Sequence, residues 1–85
     1  MKLEWDERKR QSNLQKHGLD FADARWVLQS DIRMDVKSNR GREIRILSIA
    51  YAFEQLAVLA LVQIPGGSTR ILSFRKASTK ERRQY

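Results

Sequence analysis

The chain has 85 residues, 41% of them apolar and 32% charged, and its 17 Lys and Arg against 10 Asp and Glu give a net charge of +7. A chain this short builds one domain, here residues 1–85, with two packed layers that bury roughly 60–65% of the surface exposed when unfolded. With no cysteine and one histidine, disulfides, thiolate metal sites, a cysteine nucleophile and a paired-histidine ribonuclease mechanism are excluded.

Leu3–Trp5 can form a short edge strand. Asp6 then caps a helix that runs to about His17, with Gly18 at the position that takes a left-handed backbone. Asp20 caps a second helix, in which Phe21, Ala24, Val27 and Leu28 recur at the spacing of one core-facing stripe. Trp26 is expected to pack in that core rather than to stack on a ligand. From Ile32 the period changes to two, with a strand near Ile32–Val36, a polar turn at Lys37–Arg42 and a second strand over Glu43–Tyr51. Leu56–Ile64 is nearly all apolar and reads as a central strand covered on both faces. Pro65-Gly66-Gly67-Ser68 is a turn, Arg70–Arg75 alternates as the return strand, and Ser78 with Glu81 forms a capping box that opens a last short helix. The expected fold is α+β, with two N-terminal helices on a four-stranded antiparallel sheet and a short C-terminal helix.

The charge is uneven. Arg70, Arg75, Lys76, Lys80, Arg82 and Arg83 against Glu81 place +5 of the +7 in the last sixteen residues, a distribution suited to RNA, DNA or an acidic partner protein. A second basic set lies on the first helix, where Lys9, Asn13 and Lys16 share a face with His17 beside them. That face binds a phosphate or moves a proton, or is simply solvated. Arg45, Arg70, Arg75 and Lys76 become neighbours if the sheet is antiparallel, and arginine engages phosphate through paired hydrogen bonds. The same arginines would equally keep a sheet face soluble. The terminal segment offers Arg82 for RNA and Tyr85 for base stacking, while Glu81 reads as a capping residue. Neither a Walker loop nor a G-x-G-x-x-G occurs, and no cofactor or metal is called for. The longest apolar run, Leu56–Val62, is far shorter than the roughly 20 residues of a membrane span. Met1–Asp6 lacks the apolar core of a secretory signal, so a cytoplasmic location is expected.

Trp5-Asp6-Glu7, Lys9, Asn13 and Lys16-His17-Gly18 reproduce the W-D-E-x-K-x-x-x-N-x-x-K-H-G opening of BrnT-type toxins. Arg70-Ile71-Leu72-Ser73 with Arg75, Ala77, Glu81-Arg82 and Tyr85 is similar to the R-I-I-S-x-R-x-A-x-x-x-E-R-x-x-Y ending of the same family. The resemblance departs at Ser38-Asn39-Arg40-Gly41-Arg42, where an acidic, glycine-containing loop is usual, and at Phe74, where a small residue is usual. It implies a RelE-like fold and a ribonuclease toxin of a type II toxin–antitoxin pair that halts translation. It also implies a partner, a BrnA-type antitoxin of the ribbon-helix-helix DNA-binding class, in a heterotetramer that reaches operator DNA only through the antitoxin.

The reading that follows is a metal-independent endoribonuclease in which a ribose 2′-OH attacks the adjacent phosphorus. Arg75 and Arg45 are expected at the phosphate oxygens and His17 in proton transfer, since histidine exchanges protons near neutral pH. Lys9, Asn13, Lys16, Arg70, Arg82 and Tyr85 are expected to hold RNA. The rival readings are a nucleic-acid-binding module without catalysis and a protein whose basic face meets an acidic partner.

Overall fold

The first helix is bounded by local chemistry. The Asp6 carboxylate accepts from the backbone N–H groups of Arg8 and Lys9, and Gly18 adopts φ +72°, a conformation that costs a side-chain-bearing residue more. Glu7–His17 between them forms α1. The structure, a computed structural model, describes residues 2–41, 43–64 and 66–85. Asp20 caps the next element by accepting from the Ala22 N–H. That element is one 3-10 turn, Phe21–Asp23, followed by the five-residue α2, Ala24–Leu28. The expected stripe is present, with Phe21, Ala24 and Val27 fully buried.

The strands are β1 (Lys2–Glu4), β2 (Met34–Arg40), β3 (Glu43–Ala52), β4 (Gln55–Ile64) and β5 (Ser68–Lys76), in the spatial order β1-β5-β4-β3-β2. β1 runs parallel to β5, and the other pairs are antiparallel. This corrects the expected fold: the sheet is five-stranded and mixed, and it carries one long N-terminal helix and one short one. The reason lies at the β5 edge. Residues 68–70 of β5 have an outer edge free of β4, and Lys2–Glu4 supplies the backbone partners for it, a pairing between chain ends that no local pattern encodes. β2 is likewise longer than its apolar period suggests. Its residues 35–39 are exposed, so the backbone ladder to β3, and not burial, sustains the strand through the segment expected as a turn. Of that turn Arg42 lies outside the described residues, as does Pro65 of the following one, whose Gly66 and Gly67 have φ of +101° and +97°.

One sheet face is covered by α1, α2 and the 3-10 turn, and holds Ile46, Ala50, Leu59, Leu61, Ile71 and Phe74 in the main core. On the other face Ile49, Leu56, Val58 and Ala77 form a smaller cluster, at the end where α3 (Thr79–Gln84) begins. Both bonds of the Ser78–Glu81 capping box are made, as expected. Among the described residues no helix is long and apolar enough to cross a membrane.

Candidate active site

Arg70 and Arg75 are five residues apart, and in a regular strand an odd separation puts two side chains on opposite faces. β5 is not regular. Ser73 pairs with Ala60 and Ile71 with Leu61, so Leu72 is an extra residue in the ladder. The bulge lets Ile71 and Phe74, three apart, both enter the helix-covered core at 1% and 0% exposure. It thereby returns Arg70 and Arg75 to one side, opposite Val62 and Val58 of β4. Arg45 also pairs with Val62. All three arginines expected to meet phosphate therefore lie on the sheet face that α1 and α2 leave open, Arg45 and Arg70 on either side of Val62 and Arg75 four residues further along β4.

The Lys9–His17 face reaches this region from the side. α1 has almost no apolar stripe, and its one buried residue is Asn13. The Asn13 Nδ2 donates to the Phe74 carbonyl at 2.7 Å and to the Leu19 carbonyl at 3.0 Å, while Oδ1 accepts from the Phe74 N–H at 3.1 Å. The carboxamide thus takes the place of a neighbouring strand along β5 beyond the end of β1. Arg10 adds a second tether, bonding Glu7 and, at 3.0 Å, Asp20 ahead of α2. With α1 so placed, Lys9, Ser12, Asn13, Lys16, His17 and Leu72 line a cleft of about 230 Å³. A neighbouring cleft of about 250 Å³ includes Ser38, Arg45, Leu47, Ala60 and again Leu72. The bulge residue is the wall the two share, so the helix cations and the sheet arginine flank one surface.

The arginines differ in how they are held. Arg75 donates from Nη1 and Nη2 to the two carboxylate oxygens of Glu81, at 2.7 and 2.8 Å. Hydrogen bonding and charge from Arg75 hold the Glu81 carboxyl down at about 2, and Glu81 in turn raises the Arg75 guanidinium above its ordinary value. Arg45 is less committed. Its Nε is buried and makes no hydrogen bond, although Glu43 Oε2 stands 3.5 Å away, within ion-pair range but outside hydrogen-bond geometry. Arg70 meets Glu4 at 3.3 Å with over half its side chain exposed, and a pair that open is worth little.

Other expected residues stand apart from this surface. Tyr85 packs edge-on against Tyr51 at 5.7 Å and donates its hydroxyl proton to the Ile32 carbonyl. Arg82 lines a cleft with Tyr51 and Lys76 at the same end. Trp26, expected in the core, is 57% exposed, because α2 turns its Ala24–Val27 side inward. Trp5 packs instead, edge-on to Phe21 at 6.5 Å. Among the described residues a larger cleft, about 330 Å³, lies between Leu3, Trp5 and α2, and none of the expected site residues lines it. Among the described residues no group of three or more His, Asp or Glu is arranged to hold a metal ion. Sequence reasoning missed the bulge, the Arg75–Glu81 pair and the strand-like role of Asn13. Only the bulge leaves a trace in sequence, in the three-residue spacing of Ile71 and Phe74.

A family model described as the ribonuclease toxin BrnT of type II toxin–antitoxin systems matches residues 5–81. The chain belongs to the BrnT family. The crystal structure of the Brucella abortus ribonuclease toxin BrnT is similar, with a TM-score of 0.68 and 27% identity over 93% of this chain and 99% of that one. A search of curated proteins returned no match. As a BrnT ribonuclease toxin, the protein has RNA as its substrate class and an antitoxin as its partner. The family match takes in both halves of the surface described above, from Trp5 through Glu81.

Proposed function

We propose that the chain is an endoribonuclease that cleaves RNA without a metal ion, by attack of a ribose 2′-oxygen on the adjacent phosphorus. The 2′-OH gives up its proton, the new P–O2′ bond forms as the P–O5′ bond breaks, and the departing 5′-oxygen takes a proton, leaving a 2′,3′-cyclic phosphate and a 5′-hydroxyl. The observation that carries this reading is the Leu72 bulge, which puts Arg75 and Arg70 on the face of Arg45 and walls the Arg45 cleft against the Lys9–His17 cleft. Arg45 neutralises the charge that builds on the phosphoryl oxygens at the cleft it lines, Arg75, roughly 17 Å away by strand geometry, does the same for a phosphate further along the RNA, and His17 moves a proton. Lys9, Lys16, Arg70 and Arg82 hold the flanking backbone. Asn13 serves this site from behind, its amide spent on Phe74 and Leu19, and Tyr85 acts through the ring it supports.

One observation favours the non-catalytic alternative. Glu81 already occupies both terminal nitrogens of Arg75, as it would in a face built for solubility and stability. RNA incubated with the protein in EDTA separates the two readings: fragments ending in 2′,3′-cyclic phosphate support the enzyme, and intact but retarded RNA supports the binding module. Cleavage of cellular RNA in the cytoplasm would stop translation. The antitoxin we assign to the BrnA type, a ribbon-helix-helix protein that joins the toxin in a heterotetramer and carries it to operator DNA. Co-purification of the two, with mass measurement of the complex, checks that assignment.

A further inference from the structure

At one end of the open sheet face Tyr51, 62% exposed, meets Tyr85, 37% exposed, and the loop that follows Tyr51 carries Phe53, 51% exposed. Phe53 and Glu54 form the two-residue loop between Ala52 and Gln55, and both have positive φ, +54° and +65°. Loops of this kind ordinarily use Asn-Gly, because a side-chain-bearing residue in the left-handed region is strained. Here the strained position is given to a phenylalanine that stays half in solvent, so the fold gains little from its ring. Strained backbone positions cluster at active sites and ligand clamps.

The surroundings indicate what the rings meet. Tyr51, Glu54, Gln55, Leu56, Lys76 and Arg82 line a cleft of about 160 Å³. It offers two cations for phosphates, and an amide and a carboxylate for the edge of a base. Tyr85 steadies it, held by the Ile32 carbonyl and edge-on to Tyr51. Tyr51 pairs with Leu56, Arg75 with Val58, two residues further along β4. Strand geometry therefore places Tyr51 about 12 Å from Arg75 on the same face, within reach of a nucleotide near the phosphate Arg75 would hold.

We infer that Tyr51 and Phe53 form a stacking subsite for an unpaired base of the RNA substrate, which sets where the chain cuts. The inference rests on the ribonuclease reading above, yet it is tested by binding as well as by cleavage. Base stacking on an aromatic ring is largely insensitive to which base is present and depends on the ring. Lys76 and Arg82 supply the attraction for the backbone, and Glu54 and Gln55 supply the preference among bases.

The test uses Phe53→Gly and Tyr51→Leu. Glycine relieves the strain at φ +54° and should raise the melting temperature, so loss of function in that variant is not loss of fold. Leucine keeps an apolar surface for Tyr85 while removing the aromatic face. Binding is read by fluorescence anisotropy with a labelled single-stranded oligonucleotide carrying 2′-deoxyriboses throughout, which cannot be cut by 2′-OH attack. Each variant should bind about tenfold more weakly than the wild type and should cut RNA at altered positions. Unchanged binding together with an unchanged cleavage pattern would overturn the subsite. Unchanged RNA binding with weakened antitoxin binding would overturn it too, assigning the rings to the protein partner. Weakened oligonucleotide binding in the variants, alongside a wild-type protein that cuts no RNA, would retire the ribonuclease reading and leave the stacking subsite standing.

Discussion

Replacing Asn13 with alanine removes three buried hydrogen bonds and leaves the Phe74 N–H and the Phe74 and Leu19 carbonyls without their partner. A hydrogen bond contributes about 1 kcal/mol net, and a buried polar group stripped of its partner costs about 1–3 kcal/mol. With some re-solvation at the helix edge, the expected loss is about 3–5 kcal/mol. An 85-residue domain has roughly 4–13 kcal/mol in all, and α1 has no apolar stripe to compensate. Urea unfolding followed by circular dichroism should show the loss directly, and the melting temperature should fall by about 15 °C or more. Asn13→Asp should be no better. It keeps an acceptor for the Phe74 N–H, but it turns a carboxylate oxygen toward two carbonyls. A loss below about 1 kcal/mol in Asn13→Ala would mean instead that water satisfies the β5 edge as well as the amide does.

The Arg75–Glu81 pair makes stability depend on pH. Because the Glu81 carboxyl is lowered from 4.5 to about 2, its contribution is complete above about pH 4.5 and disappears as the pH falls toward 2. The shift corresponds to about 3 kcal/mol at most, reduced to roughly 1–2 kcal/mol because a third of the Arg75 side chain is exposed. Glu81→Gln should lose that amount at neutral pH and show a flatter acid limb in urea titrations, and parallel acid limbs would contradict the assignment. Phe74→Ala should cost about 3–5 kcal/mol because the ring is fully buried, whereas Trp26→Ser, at a half-exposed site, should change stability by less than about 0.5 kcal/mol. Equal effects in the two would mean that α2 packs the other way round. His17→Ala should keep the melting temperature within a few degrees, since His17 is exposed, and should slow RNA cleavage by about 10²-fold or more if it moves a proton. Unaltered cleavage would remove it from the site.

The sequence was most informative where structure is local. Asp6, Gly18, Asp20 and the Ser78–Glu81 box each satisfy backbone groups within three or four residues, and all are legible from residue type and spacing. The apolar run of β4 and the Phe21–Ala24–Val27 stripe were legible for the same reason. What escaped depends on partners far along the chain. An edge strand at Leu3 was expected, but its parallel pairing with β5, which joins Lys2 to Ser68, was not, and Asn13 meets Phe74 across the fold. A polar residue on a polar helix gives no hint that its amide substitutes for a strand. The gathering of the arginines on one face follows from a single inserted residue, Leu72, which shifts the pattern by one position.

The most direct test of the central claim is the cleavage of a defined single-stranded RNA in EDTA by the wild type and by Arg45→Ala, which changes a partly exposed side chain. The wild type should give fragments with 2′,3′-cyclic phosphate and 5′-hydroxyl ends, and the variant should remain folded and cut at a rate lower by about 10²-fold or more. RNA left intact by the wild type, or cut equally well by both, would contradict that claim.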